Sequence, residues 1–536
     1  MNEETNFTAL DRQFGAFVER LHGSPAPDLR HAAMLVSRRR AEGHICVPVE
    51  DLPAPVRASK VVAAPGEFAP LVLDGRRLYL RRYWEYEQQL ARGIRKRAAG
   101  RSPARTTKIG DRQQLAATNV ATRNFFVITG APGTGKTHSV LTILALLEQQ
   151  PGAAELKIAL AAPTGKAAAR LTESLRTAVK PHEATTIHRL LGTIPDSPYF
   201  RHNAERPLTA NVVIVDEASM IDLALMAKLF AAVPLTSRLI LLGDRDQLAS
   251  VEAGNVLADI CAAAETAPAG SALRDSVVEL NQNYRFAEGA GIYTLSSAVN
   301  KGHADAAVVA LKREHDAEIS WRSTPSTADL SRALRDPILN GFPPYIEAKS
   351  PADALAALQR FRVLCAVRQG PFGVENLNSL AEEILANAGL LVPRAGWYHG
   401  QPVMITRNDH NLALFNGDTG IILRDGESHD ELRAFFISAE GKLRRFLPSR
   451  LPIHETAFAL TVHKSQGSEF DRLLLVLPEK DSPVLTRELL YTAITRARSS
   501  AEIWCNEEIF RAAVGRRTVR HSGLRDALSA SVPTPK

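Results

Sequence analysis

Eight consecutive residues of the 536-residue chain combine glycines with a lysine and a threonine, a combination suited to holding phosphate groups. Glycines let backbone N–H groups approach phosphate oxygens, and the lysine ammonium can reach the β- and γ-phosphates of a nucleotide. The threonine hydroxyl can bind Mg²⁺. The pattern, G-x-x-x-x-G-K-T, predicts a site for ATP and Mg²⁺ that extends to His138. The eight residues are Gly130, Ala131, Pro132, Gly133, Thr134, Gly135, Lys136 and Thr137.

The surroundings of this loop favour a nucleotide site over a glycine turn with an exposed lysine. The apolar run Phe125–Thr129 precedes the loop and reads as a buried strand. The residues after it, Val140, Ile143, Leu144 and Leu147, have the spacing of one helix face. A strand, a glycine loop and a helix in this order form a phosphate-binding loop, whose helix N-terminus attracts anions.

Two adjacent carboxylates, Asp216 and Glu217, follow the apolar run Val212–Val215. Ligands of parallel α/β sheets bind at the carboxyl ends of the strands, so these side chains are placed to meet a nucleotide. Asp216 suits a Mg²⁺ ion and Glu217 suits activation of the attacking water. An acidic pair after a strand can instead cap a helix, but the loop upstream favours catalysis.

Three further residues are candidates for contact with the γ-phosphate. Gln247 follows the apolar run Leu239–Leu242, so it also stands at a strand end. Arg285 and Arg496 lie in later polar segments. An arginine that reaches the γ-phosphate from another domain couples hydrolysis to domain closure. A surface salt bridge is the alternative for any single arginine, and the order of the segments along the chain favours catalysis here.

The candidate residues belong to a chain that alternates short apolar runs with helical patterns, which predicts parallel sheets. Residues 111 to about 300 contain the first set of runs, which includes Ile158–Ala162. A second set follows, and two α/β domains in series account for both. The second set comprises Phe361–Val367, Ala457–Val462, Leu473–Leu477 and Ala501–Trp504.

Residues of about 400–452 show a different pattern. Pro402–Thr406, Gly420–Arg424 and Ala434–Ser438 are short strand candidates, and Asn416-Gly417 is a turn signal. We predict a small β-barrel-like insertion here.

The same region contains an acidic-x-lysine pattern like that of metal-dependent nucleases, formed by Asp425, Glu440 and Lys442. A hairpin turn at Gly441 explains it better, because further carboxylates on a supporting sheet are lacking.

Residues 1–108 carry no nucleotide motif. Phe14, Phe17, Val18 and Leu21 predict an early helix. The basic stretch 92–108 reads as a solvated linker, with a DNA-binding patch as the alternative. A mainly aromatic cluster lies between the early helix and the basic stretch. It contains more side chains than one helix face can bury, so it should meet the following domain or a partner protein. A small autonomous core is the alternative. The cluster is Tyr79, Leu80, Tyr83, Trp84 and Tyr86.

The composition limits the class of protein. The net charge of +7 is compatible with a polyanionic partner such as DNA. The four cysteines form no CxxC pair, which argues against a zinc site or a disulfide framework. The polar N-terminus lacks the pattern of a signal peptide, and no apolar run is long enough to span a bilayer. We therefore expect a cytoplasmic protein without a membrane partner.

Taken in order, these segments resemble the motifs of superfamily 1 helicases. The segment Pro163-Thr164-Gly165-Lys166 through Arg170, together with Gly243-Asp-Arg-Asp-Gln247-Leu, is similar to the RecD-like branch, which moves 5′→3′. Residues 41–48 and 78–87 also resemble the RecD family of exodeoxyribonuclease V (RecBCD) alpha subunits. The first region is shorter than that of stand-alone RecD-like helicases. The resemblance is weak between about residues 300 and 360, which receive no role from it.

The resemblance implies an α/β fold with two RecA-like P-loop NTPase domains in tandem. It implies a small, mainly helical partner-docking domain at 1–108 and a first RecA-like domain with a small insertion at 109–300. The second RecA-like domain, 301–536, would carry an SH3-like β-barrel at about 400–452. It also implies an adenine contact for Gln113 and a ribose contact for Glu469. The implied single-strand contacts are Pro163, Thr164, Lys166, Thr186, His188, Thr461 and His463.

By the same resemblance, the chain is expected to be an ATP-dependent 5′→3′ single-stranded-DNA translocase and helicase. It would be the motor subunit of a RecBCD-type enzyme for double-strand-break repair by homologous recombination. The expected partners are RecB-like and RecC-like subunits in a heterotrimer, and single-stranded and duplex-end DNA; the nuclease centre would lie in another subunit. Two alternatives are a stand-alone helicase and a regulatory nucleotide switch that does not move on DNA.

Overall fold

A computed structural model describes most of the chain. The described residues are 7–52, 56, 59–100, 123–149, 152–175, 182–287, 289–409, 411–427, 429–438 and 441–530. Gln113, the end of the basic stretch at 101–108 and Glu440 therefore lie outside the described residues. No helix in the described part of the chain is both long and apolar enough to cross a membrane.

The N-terminal region combines three helices with a small sheet. Helix α1 begins at a capping box, in which the Thr8 side chain accepts from the Asp11 N–H, and ends at Gly23 in the left-handed conformation. The sheet, of order β1-β4-β3-β2, was not predicted, because its strands are at most four residues long. The elements are α1 (Ala9–His22), α2 (Pro27–Ala41), β1 (Cys46–Pro48), β2 (Val62–Ala63), β3 (Leu71–Asp74), β4 (Arg77–Leu80) and α3 (Arg81–Ala99).

Helix α3 corrects the linker interpretation of the basic stretch for residues 92–99. Leu90 and Ile94 are buried in one apolar core with Phe125 of the following sheet. The Arg97 guanidinium is 1% exposed and donates to the carbonyl oxygens of Pro234 at 2.8 Å and Ser237 at 3.2 Å. Because its guanidinium donates to these buried carbonyls, Arg97 anchors α3 to the following domain, whereas an arginine of a linker would face solvent.

The aromatic cluster meets the following domain, which was one of the predicted outcomes. Tyr79 is buried in the same core as α3 and the six-stranded sheet, and Tyr83, Trp84 and Tyr86 pack against it in part. Tyr79 is therefore covered within the chain and the other three residues are covered in part, so the cluster does not by itself indicate a partner surface.

A six-stranded parallel sheet of order β10-β5-β9-β8-β6-β7 follows. The four strands predicted in this region are confirmed to within one residue at each end, because they are mainly apolar runs that are largely buried. The short strands β7 and β10 are half-buried and gave no such signal. The elements are β5 (Phe125–Gly130), α4 (Lys136–Glu148), β6 (Ile158–Ala162), α5 (Gly165–Ser174), β7 (Ala184–Thr186), α6 (Ile187–Leu191), β8 (Val212–Val215), α7 (Leu223–Ala232), β9 (Arg238–Gly243), α8 (Val256–Thr266) and β10 (Val277–Leu280).

The remaining elements build a second parallel sheet of order β11-β20-β19-β12-β18 and an antiparallel sheet. Ile292 and Leu295 of α9 are buried in the second sheet's core, so the two cores part between β10 and α9 instead of at residue 300. The elements are α9 (Gly291–Lys301), α10 (Ala304–Leu311), β11 (Ile319–Arg322), α11 (Leu330–Gly341), α12 (Pro343–Ile346), α13 (Pro351–Leu358), β12 (Phe361–Cys365), α14 (Val374–Asn387), β13 (Gln401–Ile405), β14 (Thr419–Asp425), β15 (Glu431–Ile437), β16 (Leu443–Phe446), β17 (His454–Thr456), β18 (Ala459–Thr461), β19 (Phe470–Val476), α15 (Arg487–Ile494), β20 (Ala497–Trp504), α16 (Glu507–Gly515) and α17 (Leu524–Ser529).

The antiparallel sheet occupies the predicted insertion, in the order β16-β15-β14-β13-β17. Asn416 and Gly417 lie in a turn in which the Asp418 N–H donates to the Phe415 carbonyl at 2.9 Å. Asp425 pairs with Arg445 at 3.3 Å, and the Gly441 N–H donates to the Ser438 carbonyl at 2.9 Å. The described residues of the acidic-x-lysine pattern, Asp425 and Lys442, thus lie at hairpin ends of this sheet.

The last described residues leave the second core and return to the first. Leu524 and Leu528 of α17 are buried beside α3 and the first sheet. The Gly523 N–H and the Ser522 hydroxyl donate to the buried Glu87 carboxylate at 2.9 and 3.1 Å. The segment after α16 therefore packs apart from the second sheet, to which the sequence analysis assigned it.

Candidate nucleotide-binding site

The loop between β5 and α4 is shaped for phosphate. Gly133 and Gly135 have φ values of 86° and 82°, the left-handed region that favours glycine. A Cβ at Gly133 would lie 2.6 Å from the Arg285 Cβ, so the close approach of these segments also requires glycine. Lys136 Nζ donates to the carbonyl oxygens of Gly130 at 2.6 Å and Ala131 at 3.0 Å. The ammonium thus lies at the loop with neutral partners, which an anionic phosphate can replace.

The carboxylates Asp216 and Glu217 lie at the carboxyl end of β8. The Asp216 carboxylate accepts from the Glu217 N–H at 2.8 Å, and Glu217 has a φ of 53°, which is rare for a non-glycine residue. Burial raises the pKa of Asp216, and the neighbouring Glu217 raises it further, while Lys136 lowers it. Both carboxylates line a cavity of about 330 Å³ that Lys136 and Thr137 also line.

Gln247 and Arg496 join the two parallel-sheet units at this cavity. Arg496, directly before β20, is 2% exposed, and its guanidinium donates to Gln247 Oε1 at 2.6 Å. The Gln247 amide donates to Asp244 at 3.1 Å, and the Tyr491 hydroxyl of α15 donates to the same carboxylate at 3.0 Å. Burial raises the pKa of Asp244 to about 6. Asp244 and Tyr491 were not predicted from the sequence, although they lie three residues before Gln247 and five residues before Arg496.

Arg285 reaches the cavity from the first sheet. It follows β10 of the first sheet, and the Tyr284 N–H donates to the Gly133 carbonyl at 2.8 Å. Arg285 is therefore held against the phosphate loop by its own sheet, whereas Arg496 comes from the second unit. Its guanidinium donates to the Glu469 carboxylate at 2.7 Å.

Glu469, for which the resemblance implies a ribose contact, lines the same cavity and binds arginines. Arg170 and Arg285 both pair with its Oε1, and Arg498 pairs with its Oε2 at 3.0 Å. Burial acts to raise the pKa of Glu469, but the arginines prevail and hold it well below its usual range. Sequence analysis assigned no role to Arg170, although its position one helical turn after Lys166 was an available signal.

The candidate DNA contacts lie at strand ends. Pro163 and Thr164 follow β6, Thr186 ends the neighbouring parallel strand β7, and Thr461 ends β18 of the second sheet. The three threonine hydroxyls accept from backbone N–H groups one turn ahead, so each has a local structural role. His188 is exposed, with its ring 5.7 Å from that of Phe200, and His463 is half-buried.

The loop between β13 and β14 touches both DNA-candidate segments. Gly165 leaves room for the Phe415 ring, to which a Cβ would come within 3.0 Å. Lys464 Nζ donates to the Asn416 side chain at 3.1 Å. Burial lowers the pKa of Lys166 to about 8, against the opposite influence of Asp418. The insertion thus lies over the ends of β6 and β18.

Three family models match parts of the chain. Residues 3–57 match the "RecBCD enzyme subunit RecD, N-terminal domain", residues 113–253 match an "AAA domain", and residues 456–501 match a "UvrD-like helicase C-terminal domain".

Similar proteins extend these matches over most of the chain. The RecBCD enzyme subunit RecD of Mycobacterium tuberculosis (strain CDC 1551 / Oshkosh) is 40% identical over 523 residues, which cover 93% of this chain and 88% of that protein. The subunit RecD of Haemophilus influenzae is 36% identical, over 77% of this chain and 72% of that protein. The ATP-dependent RecD2 DNA helicase of Deinococcus radiodurans is 33% identical, over 79% of this chain and 53% of that protein. With 40% identity along 88% of a RecD subunit, the chain belongs to the RecD family of RecBCD enzyme subunits.

Proposed function

We propose that this chain is an ATP-dependent DNA helicase that moves 5′→3′ on single-stranded DNA, as one motor of a RecBCD-type helicase and nuclease. The observation that carries the proposal is the bond between Arg496 and Gln247 at the nucleotide cavity. Through it, a residue next to the second sheet contacts the first sheet's catalytic edge. Hydrolysis at such a joint can move the two units relative to each other.

The residues of the cavity divide the work of ATP hydrolysis between them. Lys136 and the loop glycines bind the phosphates, and Glu217 orients and deprotonates the attacking water. Gln247, Arg285 and Arg496 stabilise the charge of the γ-phosphoryl group. Thr137 and Asp216 line the same cavity and offer the hard oxygen ligands that Mg²⁺ prefers, so the residues present fit this ion. The ion would neutralise charge between the β- and γ-phosphates.

The two parallel sheets serve as tandem RecA-like domains, with β5–β10 in the first and α9 onward in the second. Helix α3 belongs to the first core and α17 packs against it, so neither the N-terminal region nor the second domain keeps the boundary expected from sequence. The antiparallel sheet serves as the SH3-like insertion. Its loop at Phe415 and Asn416 lies near Lys166 and Lys464, a position from which it can help to enclose a single strand.

We expect DNA binding to prefer single strands, to weaken with salt and to show little dependence on base sequence. A motor that passes over every sequence must grip the backbone and stack on bases without reading them. Unwinding should require a 5′ single-stranded overhang. Strand-displacement assays on duplexes with a 5′ or a 3′ tail test this. Efficient unwinding from 3′ tails alone would assign the opposite polarity.

Partner docking has a candidate surface on α1. Leu10, Phe17 and Leu21 are 68%, 46% and 45% exposed, and their spacing places them on one face of the helix. Exposed apolar stripes of this kind mark protein interfaces. The stripe lies within residues 3–57, the part that matches the RecD N-terminal domain model. We propose that it contacts another subunit of a RecBCD-type complex.

Replacing Leu10, Phe17 and Leu21 together with glutamine should lower recovery of the partner subunits by at least about tenfold, because a few residues at the centre of an interface carry most of its binding energy. The three side chains face solvent, so the isolated chain should keep its thermal unfolding midpoint. Val309→Gln, at a 73% exposed position on α10, is the matched control and should co-purify normally. Full recovery of both partners by the triple variant would remove α1 from the interface.

A further inference from the structure

Arg170 of helix α5 lies at the nucleotide cavity, and the N-terminal end of the same helix carries the candidate DNA contacts Pro163, Thr164 and Lys166. It lines the 330 Å³ cavity together with Lys136 and Asp216. It also lines an adjacent cavity of about 670 Å³, whose wall includes Lys166. Lys166 and Arg170 are four residues apart on one helix, so their side chains lie on the same face. One short helix therefore connects the two sites.

The guanidinium of Arg170 is held by a carboxylate of the second unit. It pairs with Glu469, which directly precedes β19. The same carboxylate also binds Arg285 and Arg498, so three arginines share one negative charge. Burial acts to lower the pKa of Arg170, but Glu469, Glu217 and Asp216 together raise it. The Arg170 side chain is thus positively charged and lies beside the phosphate-binding loop.

A bound triphosphate would compete with Glu469 for these arginines. Phosphate oxygens bind guanidinium groups as strongly as a carboxylate does, and they present more acceptors. Arg498 lines the larger cavity but not the nucleotide cavity, whereas Arg170 and Arg285 line the nucleotide cavity. The segment that carries Arg285 is held at the phosphate loop by the hydrogen bond from the Tyr284 N–H to the Gly133 carbonyl, whereas Arg170 is part of α5. A move of Arg170 from Glu469 to phosphate would therefore act on α5.

We propose that Arg170 is a positioning residue that couples nucleotide binding to the grip of α5 on DNA. In the structure, Glu469 holds Arg170 and ties α5 to the second unit. With a triphosphate bound, Arg170 turns to the phosphates and releases that tie, which alters the position of Pro163–Lys166. The inference rests on the proposed function, since it assumes that this segment contacts DNA.

Coupling through Arg170 and a purely structural salt bridge lead to different measured affinities. If nucleotide and DNA are coupled through Arg170, nucleotide changes the affinity for single-stranded DNA, and DNA changes the affinity for nucleotide by the same factor. A structural bridge would alter the stability of the chain and leave this factor unchanged. The coupling factor is therefore the quantity to compare between variants.

The test measures binding of a fluorescent oligo-dT to the full-length chain, with and without a non-hydrolysable ATP analogue and Mg²⁺. For the unmodified chain we expect the analogue to change DNA affinity by at least about fivefold. Arg170→Ala should reduce this change to less than about twofold while still binding both ligands. Arg170→Lys, which keeps the charge, should retain part of it. Arg498→Ala removes another partner of Glu469 and should retain all of it.

Two results would overturn the inference: a full coupling factor in Arg170→Ala, or an equal loss in Arg498→Ala. If Arg170→Ala does not fold, as judged by thermal unfolding, an undiminished factor in Arg170→Gln would overturn it equally. Failure of the proposed function looks different. In that case the unmodified chain would neither bind single-stranded DNA nor hydrolyse ATP faster in its presence.

Discussion

Lys136→Gln is expected to lower DNA-stimulated ATP hydrolysis by the full-length chain by at least about a hundredfold. The lysine ammonium is the one positive charge within the phosphate loop itself, and its present partners are two neutral carbonyl oxygens. Glutamine can replace one of those hydrogen bonds but brings no charge to the β- and γ-phosphates. The measurement is phosphate release at saturating single-stranded DNA.

The substitution should leave the fold intact, because Lys136 is only half-buried and its aliphatic stem is retained in part. An unchanged thermal unfolding midpoint serves as the control. Arg332→Gln, at an exposed arginine on α11, is a matched charge change far from the cavity and should keep full turnover. Near-normal hydrolysis by a folded Lys136→Gln chain would disprove the assignment of the nucleotide site.

Arg496→Ala should reduce turnover of bound ATP by about a thousandfold or more, the usual effect of losing an arginine that stabilises the γ-phosphoryl group. Nucleotide affinity should change much less, because Lys136 and the loop glycines remain. The guanidinium is already bonded to Gln247 in the structure. The arginine thus lies beside the end of the first sheet that carries the candidate catalytic residues.

Separate measurements of equilibrium nucleotide binding and single-turnover hydrolysis test whether the substitution lowers turnover of bound ATP much more than nucleotide affinity. Because Arg496 is buried and also donates to the carbonyls of Thr492 and Ser468, its loss can cost stability. Arg496→Lys keeps a charge in the pocket and should fold, yet lack the paired donors of the guanidinium. A collapse of ATP affinity with normal turnover of bound ATP would contradict the role of Arg496 at the γ-phosphate.

The nucleotide loop and the sheets around it could be predicted because their signals are local. A loop of glycines, a lysine and a threonine indicates a phosphate site only when a strand precedes it and a helix follows it. Residues Phe125–Leu147 contain the strand, the loop and the helix in this order. Fully buried strands such as Val212–Val215 are uninterrupted apolar runs, and parallel sheets place their ends together. The positions of Asp216, Glu217 and Gln247 near strand ends could therefore be predicted without knowledge of any contact.

The short and half-buried elements left no comparable pattern. Strands β2 and β7 contain two and three residues, too few for an alternation to be visible. The basic half of α3 reads as a solvated linker because arginines normally face water. Only the packing showed that Arg97 inserts among backbone carbonyls of the first domain.

The tertiary structure alone decided which charges meet. Glu469 lies almost three hundred residues after Arg170 in the chain, and no periodicity links them, yet the fold brings both with Arg285 to one cavity. The return of α17 to the first core, and the approach of the Phe415 loop to Gly165, are likewise contacts between distant segments. Sequence patterns report the local conformation and the buried face of each element, because both depend on neighbouring residues. The pairing of distant faces depends on the packing of the whole chain, so only the folded structure could show it.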